Sequence, residues 1–109
     1  MEYTQGVRFD SLGLSPEIMR AIGQRNIQIS TPVQAGCIPP MMDWQDVIAK
    51  APTGTGKTFA YGIPIVEHVD PEDESVQAVI LAPTRELAIQ ITDEIRMLST
   101  FKPGVRCVC

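Results

Sequence analysis

The residues best suited to chemistry form one glycine-rich stretch, residues 51–58, which reads Ala-Pro-Thr-Gly-Thr-Gly-Lys-Thr. It follows an apolar, β-branched run at 46–51 that predicts a buried strand, and it leads into residues 59–69, which read as a helix. A loop in this position surrounds an anion with backbone N–H groups at the positive end of the helix. The stretch therefore predicts a phosphate-binding loop, with a glycine-rich turn carrying an exposed lysine as the alternative.

Each residue type in this loop has a chemical role. Gly54 and Gly56 let the backbone approach phosphate oxygens closely, in conformations that a side chain would forbid. Lys57 supplies a mobile positive charge for the outer phosphates, and the Thr58 hydroxyl can bind magnesium.

Length and composition predict one small globular domain. The chain has 109 residues, of which 44% are hydrophobic and 20% charged. It has no apolar run long enough to cross a membrane and no signal peptide, so we expect a cytoplasmic protein that does not contact membranes. The net charge of −4 argues against a general polyanion binder, and any nucleic-acid contact must come from a local basic cluster.

The three cysteines do not predict a disulfide framework, because their number is odd and no export signal is present. Cys107 and Cys109 would share one face of a strand, which is compatible with a metal site. The chain has a single histidine and no second cysteine pair to complete tetrahedral coordination, which favours inert thiols.

Two helix starts precede the loop. Ser15 and Thr31 each stand before a proline and predict N-caps. We expect the first helix to reach about Arg25, and the second to stop at the proline pair that begins at Pro39. Gln34 would then lie in the first turn of the second helix.

The remaining pattern predicts an α/β fold. The helix after the loop is expected to kink at Pro64. The apolar run 77–82 reads as a second strand, which turns at 83–86 into another helix, and 105–109 reads as a third strand. This order predicts a parallel sheet with helices on both faces. Both motif loops, including 51–58, would open onto one edge of that sheet.

Four features in fixed order now resemble one family, the DEAD-box ATP-dependent RNA helicases. Residues 51–58 resemble the family's first motif, in which Ala51 is the usual first residue although a strict phosphate loop has glycine. Residues 83–88 (Pro-Thr-Arg-Glu-Leu-Ala) match its motif Ia in full, and residues 30–34 resemble its Q motif. Phe9 stands where the family has an isolated upstream aromatic residue.

The resemblance implies an ATP site with magnesium. The Gln34 amide offers the donor and acceptor that the N6 and N7 edge of adenine requires, with a solvated helix glutamine as the alternative. Phe9 would stack on adenine or serve as a core residue, and Thr31 would be both cap and nucleotide contact. Lys57 and Thr58 would be catalytic, and Thr58 would bind the magnesium. The expected ATP-binding set is Phe9, Thr31, Gln34, Thr53, Gly54, Thr55, Gly56, Lys57 and Thr58.

Motif Ia implies contact with single-stranded or duplex RNA through Pro83, Thr84 and Arg85. Thr84 and Arg85 stand at a helix start, where Arg85 can hold a phosphate through two N–H groups. The alternative is an internal ion pair of Arg85. Backbone contacts of this kind carry no sequence information.

The resemblance also implies that residues 1–109 form the N-terminal portion of an incomplete RecA-like, P-loop NTPase domain. Because the Asp-Glu-Ala-Asp motif is absent, we expect no ATP hydrolysis by this chain alone. Central strands of the family's sheet are also absent, so its exposed edges could associate with another chain. The chain departs from the family pattern at two positions: Trp44 stands where the family usually has glycine, and Ile27 where it has an aromatic residue.

Two rival interpretations are another P-loop NTPase, such as a DNA helicase or kinase, and a non-catalytic nucleotide-binding or RNA-binding fragment.

Overall fold

Helices supply the regular structure of the described chain. The computed structural model describes residues 6–52, 54 and 56–109. A short 3₁₀ helix spans Phe9–Ser11. The α-helices of this part of the chain are α1 (Pro16–Gly23), α2 (Pro32–Met42), α3 (Lys57–His68) and α4 (Arg85–Leu98).

The predicted helix starts are confirmed. Ser15 caps α1 by accepting a hydrogen bond from the Ile18 amide at 3.3 Å. Thr31 caps α2, and Thr84 caps α4 by accepting from the Leu87 amide at 3.1 Å. These side chains satisfy N–H groups that have no partner inside their helices. The first helix ends at Gly23, slightly before the expected Arg25.

The prediction that the proline pair stops α2 was wrong, because the helix continues through Pro39 and Pro40 to Met42. The fixed φ of proline is compatible with helical geometry, so these residues remove N–H donors without forcing the chain out of the helix. Their carbonyls still close the last turn by accepting from the Asp43 amide at 3.2 and 3.1 Å. The α3 helix is likewise continuous through Pro64, and a kink there stays a prediction.

The predicted parallel sheet is not formed within the described part of the chain. Within the described residues, no backbone–backbone hydrogen bond involves 46–51, 77–82 or 105–109, and none of these segments is a strand. A β-strand requires a neighbouring strand to accept and donate its ladder hydrogen bonds, and these segments have no neighbour. The described part of the chain has one isolated antiparallel bridge, between Arg8 and Ile29.

The second of these segments nevertheless keeps the side-chain alternation of a strand. Ile80 and Ala82 pack against the helical core, whereas Val79 and Leu81 are 76% and 90% exposed. Successive side chains of an extended chain point to opposite sides, so one side of the segment is covered by helices. The other side is apolar and exposed to solvent.

Helix α3 is the centre of the core and packs against both α2 and α4. Gly62 makes the α3–α4 approach possible, because a Cβ at this position would lie 2.8 Å from the Ile95 Cδ1 atom and 3.1 Å from the Leu98 Cδ1 atom. The apolar spacing on α4 predicts an inward stripe of Leu87, Ala88, Ile91, Ile95 and Leu98. The last three are buried, whereas Leu87 is exposed and Ala88 is half-buried. This packing fixes the position of the α3 N-terminus, where the glycine-rich loop ends.

In the described part of the chain, no helix is long and apolar enough to span a membrane.

Candidate nucleotide-binding site

Thr31 and Gln34 form a reciprocal cap at the start of α2. The Thr31 amide donates to Gln34 Oε1 at 2.8 Å, and the Gln34 amide donates to Thr31 Oγ1 at 3.4 Å. The arrangement is a capping box, in which two N–H groups at the helix start are satisfied together. It fixes the orientation of the Gln34 side chain.

The same glutamine side chain contacts the glycine-rich loop. Gln34 Nε2 donates to the carbonyl oxygen of Gly56 at 3.1 Å, and the residue is only 5% exposed. Gln34 is therefore a buried link between the start of α2 and the start of α3, not a solvated helix residue. These bonds use one of its two amide hydrogens and one acceptor position on Oε1, so a second donor and a second acceptor remain.

The loop residues have the conformation that the sequence predicts for their glycines. Gly54 and Gly56 have φ angles of 85° and 81°, in the left-handed region that favours glycine. Lys57 is exposed at the first position of α3, and Thr58 beside it is half-buried. Thr53 and Thr55, also expected to contact the nucleotide, lie outside the described residues.

The N-terminus of α3 differs from the other helix starts in the described chain. Helices α1, α2 and α4 each have a Ser or Thr side chain as cap, whereas α3 begins after Gly56 and has no side-chain cap. The first N–H groups of a helix carry partial positive charge and lack intrahelical partners. The start of α3 is thus a suitable place for a phosphate group.

Phe9 lies in the hydrophobic core, which matches the alternative interpretation of this residue. Its side chain is fully buried, and its amide donates to the Gln28 carbonyl at 3.0 Å. A second backbone bond, from the Ser30 amide to the Val7 carbonyl at 2.7 Å, fastens the same segment beside α2. Stacking of Phe9 on adenine stays a prediction, and it requires a ring face to be uncovered.

Pro83, Thr84 and Arg85 are exposed at the start of α4. Within the described chain, no carboxylate lies within salt-bridge distance of Arg85, so the internal ion pair considered as its alternative is not formed there. Gln34 forms hydrogen bonds with both Thr31 and Gly56, which gives a cluster of three residues. None of the hydrogen bonds among described residues connects this cluster with the turn before α4.

Magnesium binding would depend on Thr58 together with oxygens from other sources. Among the described residues, no three His, Cys, Asp or Glu side chains are grouped so that they could hold a metal ion. The Thr58 hydroxyl is a hard oxygen donor of the kind that magnesium accepts, alongside nucleotide phosphates and water. The chemistry of this residue therefore fits a shared magnesium site.

The sequence did not predict a stacked aromatic pair at the C-terminal ends of α2 and α3, which is the end away from the glycine-rich loop. The rings of Trp44 and His68 are parallel within 8°, with centroids 3.7 Å apart, and His68 Nε2 lies 3.0 Å from the Met42 carbonyl oxygen. Trp44 has a φ of 61°. This left-handed conformation explains why glycine suits the position. The replacement of the family's usual glycine by Trp44 was therefore the sequence signal that could have drawn attention to this pair.

Comparison with known proteins gives the same result at the level of family. Residues 31–109 match the family model of the DEAD/DEAH box helicases. The chain is 50% identical over 94 residues to the DEAD-box ATP-dependent RNA helicase CshA of Geobacillus kaustophilus, covering 86% of this chain and 20% of the relative. It is 47% identical over 96 residues to CshA of Bacillus subtilis, covering 88% and 19%. The chain thus spans about a fifth of the length of these relatives.

Solved structures of helicases are also similar. A DEAD box protein from Methanococcus jannaschii superposes with a TM-score of 0.80 at 39% identity, covering 90% of this chain and 26% of that protein. Dbp5 of S. cerevisiae bound to RNA and ADP BeF3 superposes with a TM-score of 0.82 at 36% identity, covering 87% and 25%. The described helices thus have the arrangement found in the RecA-like domain of these proteins, although the described residues include no strand. The chain belongs to the DEAD-box ATP-dependent RNA helicases, of which it covers the N-terminal part of the first RecA-like domain.

Proposed function

We propose that this chain is the ATP-binding and RNA-contacting segment of an ATP-dependent RNA helicase that remodels RNA duplexes. The observation that carries the proposal is the hydrogen bond from Gln34 Nε2 to the Gly56 carbonyl oxygen. It joins the residue suited to reading adenine to the loop suited to binding phosphate, so one nucleotide can contact both.

The nucleotide would be recognised at both of its ends. The remaining donor and acceptor of the Gln34 amide fit the N6 and N7 edge of adenine, which differs from the corresponding edge of guanine. The uncapped N–H groups of α3 and the Lys57 ammonium group would hold the phosphates. Thr58 would contribute its hydroxyl to a magnesium ion, and that ion would neutralise phosphate charge.

RNA would contact the start of α4. The exposed Arg85 can donate two N–H groups to one phosphate, and Thr84 holds the helix start in place. The similarity to Dbp5, whose structure contains RNA and ADP BeF3, supports this assignment. Because these groups contact the sugar-phosphate backbone, we expect little dependence on base sequence.

We propose that this chain by itself binds ATP but does not hydrolyse it. Phosphoryl transfer requires groups that hold magnesium and orient the attacking water, and the sequence lacks the Asp-Glu-Ala-Asp motif expected to supply them.

We also propose that the exposed apolar segments let the chain associate with another chain. A groove of about 880 Å³ runs between the two helices α3 and α4 and the segments 71–82 and 104–109.

The decisive measurement is the affinity of the chain for ATP and GTP by calorimetry, in the presence of magnesium. We expect ATP to bind at least about ten-fold more tightly than GTP, which corresponds to about 1.4 kcal/mol. Lys57→Ala should weaken the binding of both nucleotides. Gln34→Glu keeps an acceptor for the Thr31 amide but loses the amide donor to adenine and to the Gly56 carbonyl, so it should preserve the cap, weaken nucleotide binding and abolish the preference for ATP.

Gln90→Ala, a change to an exposed glutamine on α4, is the matched control and should leave both affinities unchanged. Equal affinity of the wild type for ATP and GTP would contradict the proposal and favour a P-loop NTPase of another class. Robust ATP turnover by the chain in the presence of single-stranded RNA would contradict the proposed division between binding and catalysis.

A further inference from the structure

The stacked pair Trp44 and His68 lies at the end of α2 and α3 that is opposite the nucleotide loop. Both helices begin at the contact between Gln34 and Gly56, and both end at this pair. The function proposed above gives it no role. Trp44 is the only tryptophan of the chain, and it is 77% exposed.

Hydrogen bonds hold the backbone at Trp44, and stacking on His68 holds its exposed indole ring. The Trp44 amide donates to the Met41 carbonyl at 3.1 Å, and the following Gln45 amide donates to the Pro40 carbonyl at 2.9 Å. One face of the ring is covered by His68, and the backbone has the left-handed φ that residues with a Cβ atom adopt at an energetic cost. Tryptophan is one of the residue types that are enriched among those that contribute most to protein–protein binding.

A groove of about 280 Å³ lies beside the ring. Its apolar wall includes Met41, Pro64, Ile65 and Val69. The rest of its lining includes Asp46, His68 and the Trp44 ring but no lysine or arginine. The groove can therefore take an apolar stem whose end carries a group that is compatible with a carboxylate.

The charge around Trp44 is negative. Asp43 and Asp46 flank it in the sequence and are both exposed, and within the described residues neither forms an ion pair. Helix α2 has no basic residue in its last turn to offset the negative end of its dipole. Single-stranded RNA also stacks on exposed tryptophan, but its phosphates need basic neighbours, which this surface lacks.

We propose that Trp44 and the adjacent groove form a docking site for an arginine-bearing segment of a partner protein. A guanidinium group would stack on the open face of the indole while Asp46 accepts hydrogen bonds from it, and the arginine stem would lie along the groove. Arginine fits better than lysine, because its planar group can stack on a ring and bond to a carboxylate at the same time.

The intrinsic fluorescence of Trp44 provides a direct test on the wild-type chain. The probe is a short acetylated peptide in which arginine alternates with glycine, with matched lysine and glutamine peptides and a single-stranded RNA oligonucleotide for comparison. We expect a saturable change in emission with the arginine peptide that weakens as salt is added. The lysine peptide should bind about three-fold more weakly, and the glutamine peptide should cause no change.

Two single substitutions test the charge contribution. Asp46→Asn should weaken binding of the arginine peptide about five-fold, whereas Asp93→Asn, the same change at an exposed position on α4, should have no effect. Trp44→Gly, measured with a labelled peptide, should lower affinity at least about ten-fold. Circular dichroism checks that each variant retains the helical content of the wild type.

Several outcomes would overturn this inference. They are the absence of a saturable change with the arginine peptide, equal binding of the glutamine peptide, equal losses for Asp46→Asn and Asp93→Asn, and a saturable response to RNA instead. None of these results depends on whether the chain binds ATP.

Discussion

The Nε2 atom of Gln34 donates a hydrogen bond to the carbonyl oxygen of Gly56 at 3.1 Å, so the start of α2 is joined directly to the N-cap of α3. The residues are far apart in sequence, and Gln34 is buried at this contact. A shift of the glutamine side chain is therefore expected to move Gly56 in the glycine-rich loop. If the proposed nucleotide site is correct, this contact makes adenine recognition and phosphate binding depend on each other.

Replacement of Gly56 by alanine tests this contact. A Cβ atom at Gly56 would overlap Gln34 Nε2 and lie 3.2 Å from Gln34 Cδ, whereas a Cβ at Gly54 would have no neighbour within 4 Å. Both glycines have positive φ, so both alanine variants carry backbone strain of about 1–2 kcal/mol. We expect Gly56→Ala to lower ATP affinity at least about five-fold more than Gly54→Ala, as measured by calorimetry.

The attribution to Gln34 can be checked by a double-mutant cycle. In a Gln34→Ala background the clash is removed, so the difference between the Gly56 and Gly54 variants should become small. A difference that persists in that background would show that Gln34 is not the cause.

The close approach of α3 and α4 predicts a different effect at Gly62. Alanine there must displace the buried Ile95 and Leu98 side chains, whereas a Cβ at Gly23 in α1 meets no atom within 4 Å. Alanine also favours the helix by about 1 kcal/mol at both positions. We expect Gly23→Ala to stabilise the chain and Gly62→Ala to be at least about 1 kcal/mol less stable than Gly23→Ala in urea unfolding. Equal free energies of unfolding would mean that the core absorbs the methyl group.

Removal of the Arg85 side chain should affect RNA binding without affecting stability. Within the described residues Arg85 has no ion pair to lose, so Arg85→Ala should leave the unfolding free energy within about 0.5 kcal/mol of the wild type. Loss of one phosphate contact should weaken single-stranded RNA binding and reduce the salt slope by about 0.7. Arg25→Ala, which removes the same charge from the segment after α1, should leave the salt slope unchanged. A large fall in stability of the Arg85 variant would indicate a structural role instead.

Thiol reactivity should distinguish the exposed Cys109 from the buried Cys37. Burial raises the pKa of the Cys37 thiol, which lowers the fraction of reactive thiolate at any pH below that pKa. Cys109 is exposed, so we expect it to react with a thiol reagent at pH 8 at least about ten-fold faster than Cys37. Mass spectrometry after partial labelling identifies the modified residue, and labelling in denaturant should remove the difference. Equal rates in the native chain would show that α2 opens readily.

The helix starts show how much local sequence can predict. Ser15 and Thr31 cap the helices that the sequence assigned to them, because a cap depends on a side chain and the backbone a few residues away. Helix α4 also begins at the predicted turn, where Thr84 is its cap. The end of α2 was predicted less well. Proline removes an N–H donor in any helix, but whether the helix stops there depends on the surrounding packing.

In the candidate site, too, local features could be predicted from the sequence, whereas features that depend on packing could not. The spacing of residues 51–58 predicted the left-handed Gly54 and Gly56, and the family resemblance pointed to Gln34 and Arg85. The hydrogen bond between Gln34 and Gly56 could not be derived, since it joins segments that meet only after α2 packs against α3. The burial of Phe9 likewise depends on the packing of the whole core.

The sequence by itself determined the left-handed glycines of the glycine-rich loop, the helix starts and the family, because each is encoded in residue types at short, fixed spacings. Only the tertiary structure decided that Phe9 is enclosed, that Trp44 stacks on His68, and that 46–51, 77–82 and 105–109 form no sheet in this chain. The physical reason is that burial, ring stacking and strand pairing all require a partner from a distant part of the chain. A local sequence pattern can indicate that a residue favours burial, stacking or strand pairing. Whether the required partner is present depends on the folded chain.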